Sequence, residues 1–352
     1  MMNTTIAVAI LVLGECCLLV DLGNRFFGTY ARTLTAALSR ILIAVLASIL
    51  LALPLLWQLL VPGSSPGLWS TVSVTACLAV IAHYLFPYRF GIRRIPSVAV
   101  SESRRRLTDS VDLHGMTVGG KLSTGQPPIV SLVLSDLHCN TQARLSTIAA
   151  ALSALGEKTY DLLFVLGDLG ENSALIPEIV KTLASVKPKH GLFLVRSNHD
   201  CERGRRELIA RLARERSMTV LGNAEQSVDD LGISVIGLEY PWCRGPLPVP
   251  TEAPFAVGLT HTPDNIAHFD RIGVPFVLAG HTHGGTFKLP LIGSVLVPSR
   301  YGRFLDTGWF QLRNTVMYVT PGIGYAPGVM GKRGIFLEVT ISNAGEDRKD
   351  TQ

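Results

Sequence analysis

Five short blocks of this 352-residue chain concentrate side chains that bind metal ions. They read Asp136-Leu137-His138, Gly167-Asp168, Asn198-His199-Asp200, a lone His261, and Gly280-His281-Thr282-His283. Five of the nine histidines fall in them. A pair at i and i+2 in extended chain points to one side, so Asp136 with His138, and His281 with His283, can each grip one centre. Asp136, His138, Asp168, Asn198, His261, His281 and His283 make seven candidate ligands. That is more than one ion needs if positions are to stay open for water and substrate. Mixed nitrogen and oxygen donors suit two divalent ions of intermediate hardness, with Mn, Fe, Zn and Co all admissible. One aspartate can bridge, because a carboxylate has two oxygens. Two ions about 3.5–4 Å apart can hold a shared hydroxide and clamp the attacking and leaving oxygens of a phosphoryl group. The chemistry expected is hydrolysis of a phosphoester.

Something must bring these blocks together. Most of them follow short apolar runs: Ile129–Leu134, Tyr160–Leu166 and Leu192–Val195, then Phe255–Leu259 and Phe276–Leu278. Ile233–Gly237, Val316–Val319 and Ile335–Val339 continue the series. Helical spacing lies between, over Thr147–Leu155 and Ile176–Val186. Buried strands alternating with helices indicate an α/β core. In such sheets ligands bind beyond the carboxyl ends of strands, where the metal-binding types stand. The strand count suffices for two packed sheets with helices outside.

The first quarter of the chain differs. Charged residues make up 17% of the whole, against about a quarter in soluble proteins, and the deficit lies before residue 87. Segments 41–61 and 68–86 carry no charge and are long enough to span a bilayer core. Segment 5–20 is a weaker third span containing Glu15. Arg25, Arg32 and Arg40 follow the first span, and Arg89, Arg93, Arg94, Arg104, Arg105 and Arg106 follow the last. Positive segments stay in the cytoplasm, so the expected topology is multi-pass in the inner (plasma) membrane, with the globular part cytoplasmic. Residues 1–86 are then the membrane part, 87–127 a basic juxtamembrane linker with a short strand near Val98–Ser101, 128–340 the catalytic domain and 341–352 a polar tail. The net charge of +5 is assigned to contact with anionic lipid. No nucleic-acid-binding signature appears. The six cysteines show no CxxC spacing, which excludes a disulfide framework. Cys139 and Cys201 adjoin the metal blocks and read as small buried residues, with redox sensing or extra metal ligation as the other reading.

The ordered series Asp-x-His, Gly-Asp, Asn-His-Asp, His, Gly-His-x-His resembles the calcineurin-like metallophosphoesterase family, over roughly residues 128–340. The resemblance implies a four-layer αββα sandwich of two mixed sheets. It implies one ion on Asp136, His138, Asp168 and His283, and a second on Asp168, Asn198, His261 and His281. His199 would stand near the leaving oxygen, to protonate it or stabilise its charge. Ser197 replaces the family's usual glycine before Asn-His. Glu171 takes the place of a second carboxylate that orients the catalytic histidine. The stretch Gly284–Pro290, with Gly322-Ile323-Gly324 and Arg333, is similar to bacterial membrane-associated members, some of which cleave the pyrophosphate of a nucleotide-linked acylated sugar. A lipid-linked phosphoester or pyrophosphate is therefore the leading substrate class. A soluble nucleotide or cyclic nucleotide, and a catalytically silent membrane scaffold, are the alternatives. Arg333 is read either as a phosphate anchor or as a partner of Glu338. The proline-rich stretch 241–250 is read as a rigid surface loop with a half-buried Trp242, or as a lipid-facing lid.

Overall fold

The computed structural model describes residues 13–14, 74–75, 77–78, 91–202, 204–243, 245–246, 248–249, 253–289, 293–323 and 333–343. The expected membrane spans lie outside these residues, apart from short fragments. Among the described residues no helix is long and apolar enough to cross a membrane. The chain divides into two compact units, 1–90 with 287–305, and 91–286 with 306–352. A small two-stranded sheet, β12 (Thr286–Leu289) with β13 (Gly293–Leu296), belongs almost wholly to the first unit.

The second unit holds two mixed sheets of seven strands each. One runs in the order β2 (Ser101–Arg106), β3 (Val111–Gly120), β16 (Gly334–Asn343), β4 (Ile129–Leu134), β5 (Leu162–Val165), β6 (Gly191–Leu194), β7 (Met218–Val220). Strands β4 to β7 are mutually parallel, and β16 is antiparallel to β4. The other runs β1 (Arg93–Arg94), β14 (Gly308–Leu312), β15 (Thr315–Val319), β11 (Phe276–Ala279), β10 (Phe255–Thr260), β9 (Ile233–Leu238), β8 (Glu225–Val228). Its four central strands are parallel and its edges antiparallel.

Side-chain alternation explains how the sheets stack. Leu132, Leu163, Val165, Leu192 and Leu194 face one way, into a cluster with helices α1 (Gln142–Ser153), α2 (Ile176–Ala184) and α3 (Arg205–Arg214). Their neighbours Val133, Leu162, Phe164 and Phe193 face the other way, meeting Val235, Val257, Leu259 and Leu278 of the second sheet. Strands buried on both faces must be apolar throughout, which is why these runs lack a polar alternation. Helix α1 starts earlier than its apolar spacing suggests, at Thr141, whose hydroxyl accepts from the Arg144 N–H. Helix α3 was not foreseen; it buries Arg205, Ile209, Leu212 and Ala213 on one face. On the second sheet, the six-residue α4 (Ile266–Arg271) lays Phe269 over Gly258, where an added Cβ would stand 2.6 Å from the ring.

Two sequence expectations are corrected. Segment 87–127 is not a linker: it supplies β1, β2 and β3, and β3 pairs with β16 over ten residues. Ser101–Arg106 was hidden because it is exposed along its whole length and so shows no apolar alternation. The polar tail begins later than expected, because Ile341–Asn343 complete β16.

Candidate metal centre

The parallel strands of both sheets deliver the five blocks to one place. Asp136, His138, Asp168 and His283 each offer a ligand atom, and these atoms lie within 4.8 Å of one another. Asp168, His261 and His281 do the same, so Asp168 belongs to both groups. Its Oδ2 stands 3.3 Å from His138 Nε2 and 3.3 Å from His261 Nε2. His138 Nε2 lies 3.3 Å from His283 Nε2, and His261 Nε2 lies 3.0 Å from His281 Nδ1. Asn198, buried at the end of β6, keeps its Oδ1 without a hydrogen-bond partner, as does His281 Nε2. A buried acceptor left unmade costs about 1–3 kcal/mol. Converging imidazoles, a shared carboxylate and orphaned acceptors form a donor set that fits divalent cations.

The backbone is bent to make this set. Asp136, His138, Asp168, His281 and His283 all have positive φ, between 42° and 72°. The left-handed region costs a non-glycine residue roughly 1–2 kcal/mol, and such residues cluster where function over-determines the chain. The packing around them is tight. A Cβ on Gly280 would meet the Ser135 hydroxyl and come 2.5 Å from Asp136 Oδ2. The His281 N–H donates to Asp136, at 3.1 Å from each oxygen.

A second layer orients the first. Ser197 Oγ donates to Asp168 Oδ1, which leaves Oδ2 facing the histidines. Asp200 is fully buried and accepts from the backbone N–H groups of Asp168 at 2.8 Å, Leu169 at 3.0 Å and Ser197 at 3.0 Å. His261 Nδ1–H donates to the Leu166 carbonyl at 2.7 Å, which turns Nε2 toward Asp168. Glu171 Oε1 lies 2.9 Å from His138 Nδ1 and 3.6 Å from His199 Nδ1. The carboxylate expected to orient His199 therefore makes its hydrogen bond to His138. His199 itself is about one-third exposed, with its ring 5.6 Å from that of His138.

Arg205 and Glu239 were not found from sequence, and Trp242 was read only as part of a surface loop or lid. Arg205 is buried and donates to the carbonyls of His199 at 2.8 Å and Glu171 at 3.0 Å, so it holds both backbones. Trp242 packs edge-on against His261 and His281, each ring centroid 5.5 Å away. Glu239, fully buried, accepts from the Arg196 guanidinium at 2.8 Å and from the Arg196 N–H at 2.8 Å. Glu239 and Trp242 follow β9, and reading 241–250 as a surface loop or lipid-facing lid does not by itself bring Trp242 to the metal blocks. Arg333 pairs with Asp112 at 2.9 Å, and Glu338 instead takes Lys158 at 2.8 Å.

The centre is electrostatically divided. Burial opposes protonation of His138 and His261, yet their carboxylate neighbours carry each up to about 9. Glu171 contributes most for His138, and Asp168 for His261. Burial alone would raise the Asp168 carboxyl, but His261 and His138 outweigh it and hold the group well below the ordinary range. His138 holds Glu171 down at about 2. His281 and His283 go the other way, lowered first by burial.

Residues 129–285 match the family model described as calcineurin-like phosphoesterase. The chain carries a calcineurin-like metallophosphoesterase domain. That is the domain of metal-dependent phosphoester hydrolases, and all five metal blocks lie within the match. The chain is 28% identical to phosphodiesterase YaeI of Escherichia coli over 209 residues, 56% of this chain and 76% of that protein. It is 26% identical to the uncharacterized metallophosphoesterase YkuE of Bacillus subtilis over 201 residues, 54% of this chain and 70% of that one. A Danio rerio protein named transmembrane protein with metallophosphoesterase domain is 26% identical over 218 residues, 55% of this chain and 48% of that protein.

Proposed function

We propose that the protein is a membrane-anchored, binuclear-metal phosphoesterase that cleaves a phosphoester or pyrophosphate bond in a lipid-linked substrate. The observation that carries the binuclear reading is Asp168 Oδ2, equidistant at 3.3 Å from His138 Nε2 and His261 Nε2. In this reading Asp136, His138, Asp168 and His283 hold one cation, and Asp168, Asn198, His261 and His281 the other. Such cations supply charge stabilisation of the phosphoryl group and a nucleophile from water at neutral pH. His199, partly exposed at the rim, donates a proton to the leaving oxygen. Arg205 keeps its backbone in place, and Glu171 fixes the His138 ring. Trp242 shields the His261 and His281 side from water.

The uncharged segments 41–61 and 68–86 support the anchor, as does the name of the fish relative. Anchoring confines the site to a lipid surface, where the effective concentration of a lipid-linked substrate is high. The test is a substrate screen with Mn²⁺ on detergent-purified full-length protein. Lipid-linked pyrophosphates and phosphodiesters should be turned over in preference to nucleotides and cyclic nucleotides. Equal turnover of soluble nucleotides, unchanged on deleting residues 1–90, would refute the lipid assignment.

A further inference from the structure

Two thiols lie beside the metal centre and play no part in the chemistry above. Cys201 Sγ and Cys243 Sγ are 3.2 Å apart, although 42 residues separate them along the chain. Neither is in a disulfide. They come from different sheets: Cys201 follows the Asn198-His199-Asp200 turn beyond β6, and Cys243 follows Trp242 in the loop beyond β9. Each is held by its own turn. The Cys201 N–H donates to the Ser197 carbonyl at 3.2 Å. The Cys243 N–H donates to the Glu239 carbonyl at 3.1 Å, and the Cys243 carbonyl accepts from Asn223 Nδ2 at 2.9 Å. Cys243 is buried and Cys201 half-buried, so the pair can be reached from one side. A disulfide needs about 2.05 Å between sulfurs. The sulfurs have roughly 1 Å still to close.

We propose that Cys201 and Cys243 form a reversible disulfide, made by a small-molecule disulfide of the glutathione class, which fastens the Trp242 loop over the metal centre. In the first step one cysteine thiolate attacks a sulfur of the external disulfide, forms a mixed disulfide and releases one thiol. In the second the other cysteine thiolate displaces the second thiol and closes the protein disulfide. Two thiol protons leave the cysteines and end on the two released thiols. The cysteines lose two electrons and the external disulfide gains them.

The consequence follows from what each cysteine adjoins. Cys243 is bonded to Trp242, whose indole lies against His261 and His281. Cys201 lies three residues beyond Asn198. The bond would tie these two walls together and hinder any movement of the indole that lets a cation in or out. That effect, though not the disulfide itself, rests on the metal reading given above.

The test uses reduced full-length protein loaded with Mn²⁺ and then equilibrated at rising ratios of glutathione disulfide to glutathione. Non-reducing peptide mapping reads the bond, and loss of Mn²⁺ to excess chelator reads its effect. A Cys201–Cys243 cross-linked peptide should appear, vanish with dithiothreitol, and slow Mn²⁺ loss about tenfold, the lower end of what outer-shell contacts contribute. C201S and C243S should each form no cross-link and lose Mn²⁺ at the reduced rate under oxidant. Glutathione left as a mixed disulfide on Cys201, or two thiols unreacted at every ratio, overturns the proposal. So does a cross-link that leaves the rate of Mn²⁺ loss unchanged. Protein that cross-links yet takes up no Mn²⁺ counts for the disulfide and against the metal reading.

Discussion

Glu171 Oε1 lies 2.9 Å from His138 Nδ1 but 3.6 Å from His199 Nδ1. The first is a hydrogen bond and the second is not. Glu171 thus acts on His138 before it acts on His199. Removing the charge in Glu171→Gln should lower Mn²⁺ affinity by about 10–100-fold, the usual effect of losing an outer-shell carboxylate. Calorimetric titration with Mn²⁺ checks this. An unchanged affinity with a shifted acidic limb of the pH–rate profile would return Glu171 to His199.

Asp168 is common to both ligand groups, so Asp168→Asn should empty both rather than one. Metal content, read by mass spectrometry after gel filtration in Mn²⁺, should fall from two ions per chain to none, on the two-ion stoichiometry common in phosphatases. A variant that retains one ion would show that the groups load independently. Circular dichroism separates that outcome from misfolding.

Glu239 and Arg196 are a buried pair joined by side-chain and backbone hydrogen bonds. Removing one partner leaves the other charge buried and alone, which costs about 3–5 kcal/mol. Glu239→Gln should therefore lower unfolding free energy by that amount in urea denaturation. Because the Glu239 carbonyl also accepts from the Trp242 and Cys243 N–H groups, the Trp242 loop should loosen, seen as faster amide exchange at 242–243.

His114 is buried between the sheets, with Nδ1 3.2 Å from the Tyr318 hydroxyl and Nε2 3.3 Å from Glu102. Burial lowers its pKa below the ordinary value, with Arg104 adding to the effect and Glu102 opposing it. Below about pH 6.5 the unfolded chain takes up a proton here that the folded chain does not. The stability it contributes is then whole above that pH and falls as the pH drops through it, by at most about 1.4 kcal/mol per pH unit. The stability difference between wild type and His114→Gln should shrink from pH 7.5 to pH 5. A constant difference would exclude this linkage.

What the sequence disclosed was whatever repeats a local rule. Strands buried on both faces are apolar runs, and Asp136, Asp168 and His261 stand out because each interrupts such a run at its carboxyl end. The rest depends on neighbours distant in the chain. Ser101–Arg106 forms a strand only because β3 offers it an edge, and its own composition is that of a charged coil. Trp242, Arg205 and Cys243 carry no metal-binding signature, and their proximity to the centre is a product of sheet packing. The left-handed backbone at five candidate ligands is equally invisible in a sequence, since Asp and His are ordinary residues until a fold bends them.

The exposed β2 has a further consequence. Among the described residues it is an outermost strand, bonded to β3 on one side only. An open edge is a template on which another polypeptide can add by main-chain pairing. Arg104, Arg105 and Arg106 line it with like charge, so a second copy approaching edge to edge meets repulsion before it can pair. Whatever surface these arginines face, their like charge opposes pairing of this edge with a second copy of itself.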